Sequence, residues 1–305
     1  MLVSLRGALA AAGTIGRAIH RVHPDKPSPA DVAALFPGAS PLPASTIARE
    51  MSGLRYQNQL LVFMAQRRGK QILEPYLDAP SLERLKPFAS GPASIFLTWH
   101  VGPPFGLLGA FGRLGLDVLA IRRNQVIGPS VWPDAVVRGQ SPQATRSDPS
   151  LTSTERGPAA RARAVFRAVA RLRKGGLIII AGDGVDTAET LAAPCLGRAA
   201  PMARGPFALA RITGAPLVPL LARWDDDGWI RVTVGDALPG RGSGRALESS
   251  LAIAAGKWLE DYLLASPRQL RRCSLGWLLT SPPLEQPGYQ ESPADSTRAS
   301  TPAVP

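Results

Sequence analysis

Histidine is scarce in this chain, and cysteine scarcer still. The three histidines are His20, His23 and His100, so only His100 lies beyond the N-terminal segment. The two cysteines, Cys195 and Cys273, are far apart, with no C-x-x-C and no histidine close by in sequence. That pattern indicates neither a zinc site nor a disulfide framework, and both read as reduced thiols. No run approaches the roughly 20 uninterrupted apolar residues of a membrane-spanning helix, because Arg or Lys intrudes everywhere. G-x-S-x-G is also missing, which weighs against a serine hydrolase. There are no internal repeats and few lysines.

What the chain has is arginine. With 35 Lys and Arg against 23 Asp and Glu, the formal net charge is +12, and the sequence pI is about 10.7. Such a field attracts anions: nucleic acid, anionic lipid, an acidic carrier protein or a phosphorylated cofactor. No helix-turn-helix, zinc spacing or RNP-like aromatic pattern accompanies the charge, so a nucleic-acid reading rests on charge alone. At 305 residues and 45% hydrophobic content, the chain is long and apolar enough for a substantial core.

Residues 1–23 read as a candidate membrane-surface helix, and a helix packed on the domain is the plainer alternative. A signal peptide is disfavoured because no positive charge precedes Arg6 and the apolar core is weak. Residues 24–43 hold six prolines and read as a loop around a short helix at 31–36. From 43 to 77 the apolar spacing is helical, with Ser45 as the expected cap.

Ser94-Ile-Phe-Leu-Thr-Trp-His100 is an apolar strand that ends on a titratable side chain. Val101-Gly-Pro-Pro104 then stops it, placing His100 at a sheet rim, where α/β proteins hold ligands. Phe105 to Leu114 reads as a crossover helix and Leu116 to Ile121 as the next strand, which ends at Arg122-Arg123. Residues 124–158 lack periodicity and read as a long loop. The helix expected at 159–174 has Val165, Phe166, Val169 and Leu172 as its buried face and Arg163, Arg167, Arg171 and Lys174 opposite.

Gly175-Gly176 ends that helix, and the apolar strand Leu177 to Ala181 delivers Gly182-Asp183-Gly184 to the same rim as His100. A loop follows from 185 to 204, carrying Arg198 and Arg204, and then a helix from about Pro206 to Thr213. Strands at 217–224 and 229–234 are joined by Asp225-Asp-Asp-Gly228, a hairpin signal. A final amphipathic helix buries Leu247, Leu251, Ala255, Trp258 and Tyr262 and stops at Pro267. Residues 281–305, rich in Pro, Ser and Thr, read as a disordered tail. The expected fold is α/β, with a mixed, largely parallel central sheet flanked by helices within 24–280.

The order of these pieces resembles the bacterial lipid A biosynthesis (lauroyl/myristoyl) acyltransferase family, a branch of the glycerolipid acyltransferase superfamily. The segments that carry the resemblance are Arg171-Leu-Arg-Lys-Gly-Gly-Leu-Ile-Ile-Ile-Ala-Gly-Asp183, Cys195-Leu-Gly-Arg198, Gly205-Pro-Phe-Ala-Leu-Ala210, Thr213-Gly-Ala-Pro-Leu-Val-Pro219 and Tyr262-Leu-Leu-Ala-Ser-Pro-Arg-Gln269 with Trp277. It covers about residues 30–280 and implies a glycerolipid-acyltransferase-like fold. The implied activity moves a fatty acyl group from an acyl carrier protein or coenzyme A thioester to a lipid-like hydroxyl or amine. The implied location is peripheral, at the cytoplasmic face of the inner membrane, with no bound cofactor or metal.

In that family the strand-end histidine is the general base, and an Asp or Glu after four intervening residues orients it. His100 falls on the histidine, but the acid position is Phe105, which can neither fix a tautomer nor balance an imidazolium. Three expectations follow: Asp183 supplies the missing carboxylate, His100 acts alone on a more acidic nucleophile, or the chain is a catalytically degenerate lipid- or acyl-carrier-binding module. Arg122 and Arg198 are the candidate phosphate or carrier contacts. Phe105, with Leu107, Leu108 and Phe111, is the candidate acyl-chain floor.

Overall fold

A computed structural model describes residues 5–22, 27–38, 42–68, 70–121, 158–183, 189–240, 242 and 244–284. Its centre is β1 (Ser94–Thr98), whose pattern Ser-Ile-Phe-Leu-Thr suits a strand buried on both faces. Strands β2 (Val118–Ile121), β3 (Leu177–Ala181), β6 (Leu217–Trp224) and β7 (Ile230–Val234) complete a five-stranded sheet in the order β2-β3-β1-β6-β7. The first four are parallel, with Thr98 opposite Ala181 and Ile95 opposite both Ile178 and Leu217, and β7 closes the edge antiparallel to β6. The fold is thus α/β with a mixed, mostly parallel sheet, as the apolar runs predict.

Helices cover both faces. Ile95 and Leu97 of β1, with Trp99 just beyond its end, enter one core, shared with α2 (Pro29–Leu35), α3 (Ala44–Arg68), α7 (Arg204–Thr213), α8 (Gly244–Ala265) and α9 (Arg272–Leu279). Phe96 enters the other, with α5 (Pro104–Arg113), α4 (Ala79–Glu83), the 3-10 turn at Lys70–Tyr76 and Leu9 of α1 (Leu5–Val22). By the same alternation Thr98 and His100 follow Phe96 to the α5 side.

Several elements differ from the sequence reading. The expected loop at 185–204 contains a hairpin of β4 (Thr190–Cys195) and β5 (Arg198–Ala203), a separate two-stranded sheet packed against α8. Its turn places Leu196 and Gly197 at φ 53° and 69°, both left-handed, as a two-residue hairpin turn requires. Leucine there is not a turn signal, which is why the hairpin escaped notice. The helix at 159–174 is α6 (Pro158–Arg173), but it buries Ala168 and Leu172, while Phe166 is 74% exposed and Val165 is exposed beside it. Of its expected basic stripe, Arg171 is bonded to Asp117.

Helix α3 starts at Ala44, its first turn bonded to the Pro43 carbonyl, so Ser45 lies inside it. A capping box missed in sequence, Ser28 with Asp31, starts α2. Residues 281–284, read in sequence as the start of the tail, are tied to the fold: Pro282 O accepts from Ala199 N–H and Leu284 N–H donates to Gly197 O. Residues 122–157, including Arg122 and Arg123, and 285–305 lie outside the described residues.

Helix α1 packs on α3 through Leu9, Gly13, Gly16 and His20, with a Cβ at Gly16 meeting Ser52 O at 2.8 Å. His20 is buried there, its Nδ1 3.0 Å from Ser52 Oγ. The packed-helix alternative therefore describes one face of α1. Ile15 and Val22 remain exposed on another.

Candidate active site

His100 stands at the carboxyl end of the central strand because the chain turns sharply after it. Gly102 sits at φ +60°, and a Cβ there would meet Ala222 O at 2.0 Å, so only glycine fits. The turn is held from the C-terminal segment: Gly102 N–H donates to Gln269 O (2.8 Å) and Ser274 Oγ donates to His100 O (2.6 Å). Buried Gln269 is fixed in turn by Trp224, accepting from its N–H at 3.2 Å and donating to its carbonyl at 2.8 Å. Sequence reasoning missed both Gln269 and Ser274, since neither residue type announces such a role.

Asp183 arrives on the neighbouring strand. The register Thr98–Ala181 puts residue 183 level with residue 100, and Met202 of β5 bridges Asp183 from the other side. Asp183 Oδ2 lies 2.7 Å from His100 Nδ1 and also accepts the His100 backbone N–H at 3.2 Å. The side chains differ sharply in exposure, 1% for Asp183 and 50% for His100. An ionised carboxylate accepts only, so in that form Asp183 selects the tautomer with the ring proton on Nδ1 and the lone pair on Nε2. A half-exposed histidine held by a buried carboxylate is an arrangement that can do general-base chemistry.

Phe105 occupies the helix position where the resembled family carries its acid, and it is 4% exposed. It packs in the α5-side core with Leu107 and Phe111, the latter stacked on Phe96 at 5.5 Å between centroids. That corrects the acyl-floor expectation: the three side chains are consumed by the core, and only Leu108 is half-buried beside it.

Arg198 is also corrected. It donates to the carbonyls of Leu279 (3.2 Å) and Ser281 (3.0 Å), capping the end of α9 rather than facing the dyad. Arg204, grouped with it in sequence, is held by Glu189 and by fully buried Glu248, whose carboxylate also takes Arg211. These bonds, from Arg204 first, hold the Glu248 carboxyl below its usual range despite burial. Cys195 is buried, which together with Glu260 pushes its thiol up to about 12, an inert position, and Cys273 is exposed.

Among the described residues no group of three or more His, Cys, Asp or Glu is disposed to hold a metal ion. None of their helices is long and apolar enough to cross a membrane. An open cleft of about 650 Å³, lined by Glu74, Asp78, Arg113 and Trp229 among others, includes neither dyad residue. No protein-family model matches this chain, and no curated protein matches it either.

Proposed function

We propose that this protein is an acyltransferase on a glycerolipid-acyltransferase-like fold, with His100 as general base and Asp183 as its orienting acid. It moves a fatty acyl group from an acyl carrier protein or coenzyme A thioester to a lipid-like hydroxyl or amine. The observation that carries this reading is the 2.7 Å contact between half-exposed His100 Nδ1 and the buried Asp183 carboxylate. The dyad supports base chemistry, and the sequence resemblance supplies the thioester donor.

In the proposed step His100 Nε2 takes the acceptor's proton as its oxygen or nitrogen attacks the thioester carbonyl carbon. The C–S bond breaks, and the leaving thiolate receives that proton back from the imidazolium. Asp183 holds the tautomer and balances the transient charge. The carboxylate that the family places after four intervening residues comes here from the next strand, at Nδ1 of the ring.

The net charge of +12 suits acidic donors and an anionic membrane surface. Peripheral contact at the inner face of the cytoplasmic membrane draws on α1, whose exposed residues include Ile15, Val22 and Arg21. The test is lipid analysis of a strain lacking the gene, complemented with wild type or with His100→Ala. Wild type restores an acylated lipid and the variant does not. Restoration by both removes His100 from the mechanism.

A further inference from the structure

The two oxygens of the Asp183 carboxylate are unequally used. Oδ2 takes both the ring and backbone N–H of His100, whereas Oδ1 is buried with no hydrogen-bond partner among the described residues. A buried carboxylate oxygen left bare is costly, and an ionised carboxylate has lone pairs to fill on both oxygens. One other buried oxygen at this rim has no hydrogen-bond partner among the described residues: Thr98 Oγ1. Thr98 is opposite Ala181, and side chains alternate along a strand, so Thr98 and Asp183 share the α5 face of adjacent strands. Two residues of rise across one interstrand spacing separates their Cα atoms by about 8 Å, which a threonine, an aspartate and one water between them can span.

We infer that Thr98 is a positioning residue for the dyad: its hydroxyl serves Asp183 Oδ1 through a bridging water, holding the carboxylate in the plane of the imidazole. The inference rests on reading His100 and Asp183 as base and orienting acid. A hydroxyl in this position is otherwise a liability, since Thr98 lies at the end of an apolar strand and a valine would fill the same space without an unpaired group. Thr98 acts only through Asp183, so its loss leaves substrate binding alone.

The experiment uses the full chain with Thr98→Val, Thr98→Ala and Thr98→Ser, read in two ways. The first needs no substrate: ¹⁵N and ¹H resonances of the His100 ring report its Nδ1–H proton and tautomer, and only three histidines have to be assigned. The valine and alanine variants are expected to move the Nδ1–H resonance and mix the tautomers, while serine keeps the wild-type pattern. The second is acyl transfer, where kcat falls about tenfold in the valine and alanine variants at unchanged KM, the loss of roughly one hydrogen bond, and serine restores it. Wild-type ring resonances in both the valine and alanine variants overturn the inference, and alanine decides if valine does not fold. If the wild-type protein transfers no acyl group, the proposed function fails, and the ring resonances still decide the role of Thr98.

Discussion

Two buried carboxylates in this molecule have opposite surroundings. Glu248, with its side chain fully buried, is surrounded by fixed charge: Arg204 Nε at 2.6 Å and Arg211 Nε at 2.7 Å, so both oxygens are filled by guanidinium groups that never lose their protons. Asp183, 1% exposed, faces a histidine that can gain or lose a proton and is half in solvent, and its Oδ1 has no direct hydrogen-bond partner among the described residues. A carboxylate between two guanidinium groups is compensated throughout, whereas one paired with a histidine is compensated by charge only when that partner is protonated. Burial alone does not mark a functional acid. The identity of its partner does.

The comparison breaks most visibly at Asp183. Asp183→Asn keeps the size of the side chain but loses the charge, and its amide can hold the wrong tautomer. Removal of an orienting acid costs about 10⁴ in turnover in the serine-protease triad, and an effect of at least about 10³ in kcat/KM is expected here, measured by acyl transfer from a thioester donor. Thermal stability should change little. Adding Phe105→Glu to that variant, which restores the family's spacing, should rescue nothing, because residue 105 points into a packed apolar core. A glutamate there is left buried and unpaired, so the double variant is expected to unfold at lower temperature. Rescue would mean that Phe105 faces the histidine after all.

At Glu248 the expected loss is one of stability. Glu248→Gln leaves two arginines without their buried counter-ion, and about 3 kcal/mol is expected from denaturant unfolding, with turnover per folded molecule retained. The sign of the pH dependence follows from the direction of the shift. The folded-state carboxyl titrates below its ordinary value, chiefly through the bond from Arg204, so its contribution is present above the unfolded-state value and lost as pH falls through the folded one. The wild-type advantage over Gln should therefore shrink on acidification from neutral pH to below the ordinary carboxylate range, and unfolding curves across that range check it. A loss of turnover at unchanged stability would erase the distinction between the two acids.

How far the sequence speaks for itself differs between these sites. The parallel core was legible because strands buried on both faces read as continuous apolar runs, and Leu177 to Ala181 and Leu217 to Trp224 lie where those runs put them. Asp183 could be placed at the rim of His100 for the same reason. The 2.7 Å contact itself needed the register of β1 on β3, which no local pattern encodes. Arg198 and Arg204 misled because a guanidinium suits a helix terminus or a buried carboxylate as well as it suits phosphate, and sequence does not say which lies near. Phe166 misled through periodicity: its spacing from Val169 is helical, but the face of α6 that packs is set by small Ala168 with Leu172. Glu248 went unnoticed because its partners lie on another helix.

The smallest effect is expected at Arg198, and it bears on the same contrast. Its guanidinium lends two hydrogen bonds to the Leu279 and Ser281 carbonyls and thereby ties β5 to the end of α9. A cation at a helix C-terminus is favoured by the helix dipole as well, so the position is a structural one on two counts. Arg198→Ala is expected to cost about 1 kcal/mol in denaturant unfolding, the net worth of such bonds near a surface, and to leave KM for the thioester donor unchanged. Arg198→Lys should recover part of the stability, since a lysine carries the charge but not the planar fork that reaches both carbonyls. A rise in KM at unchanged stability would return Arg198 to the donor's phosphate. A loss of stability with turnover per folded molecule retained across both variants would instead place it with Glu248, among the charges that hold the scaffold around a dyad they do not touch.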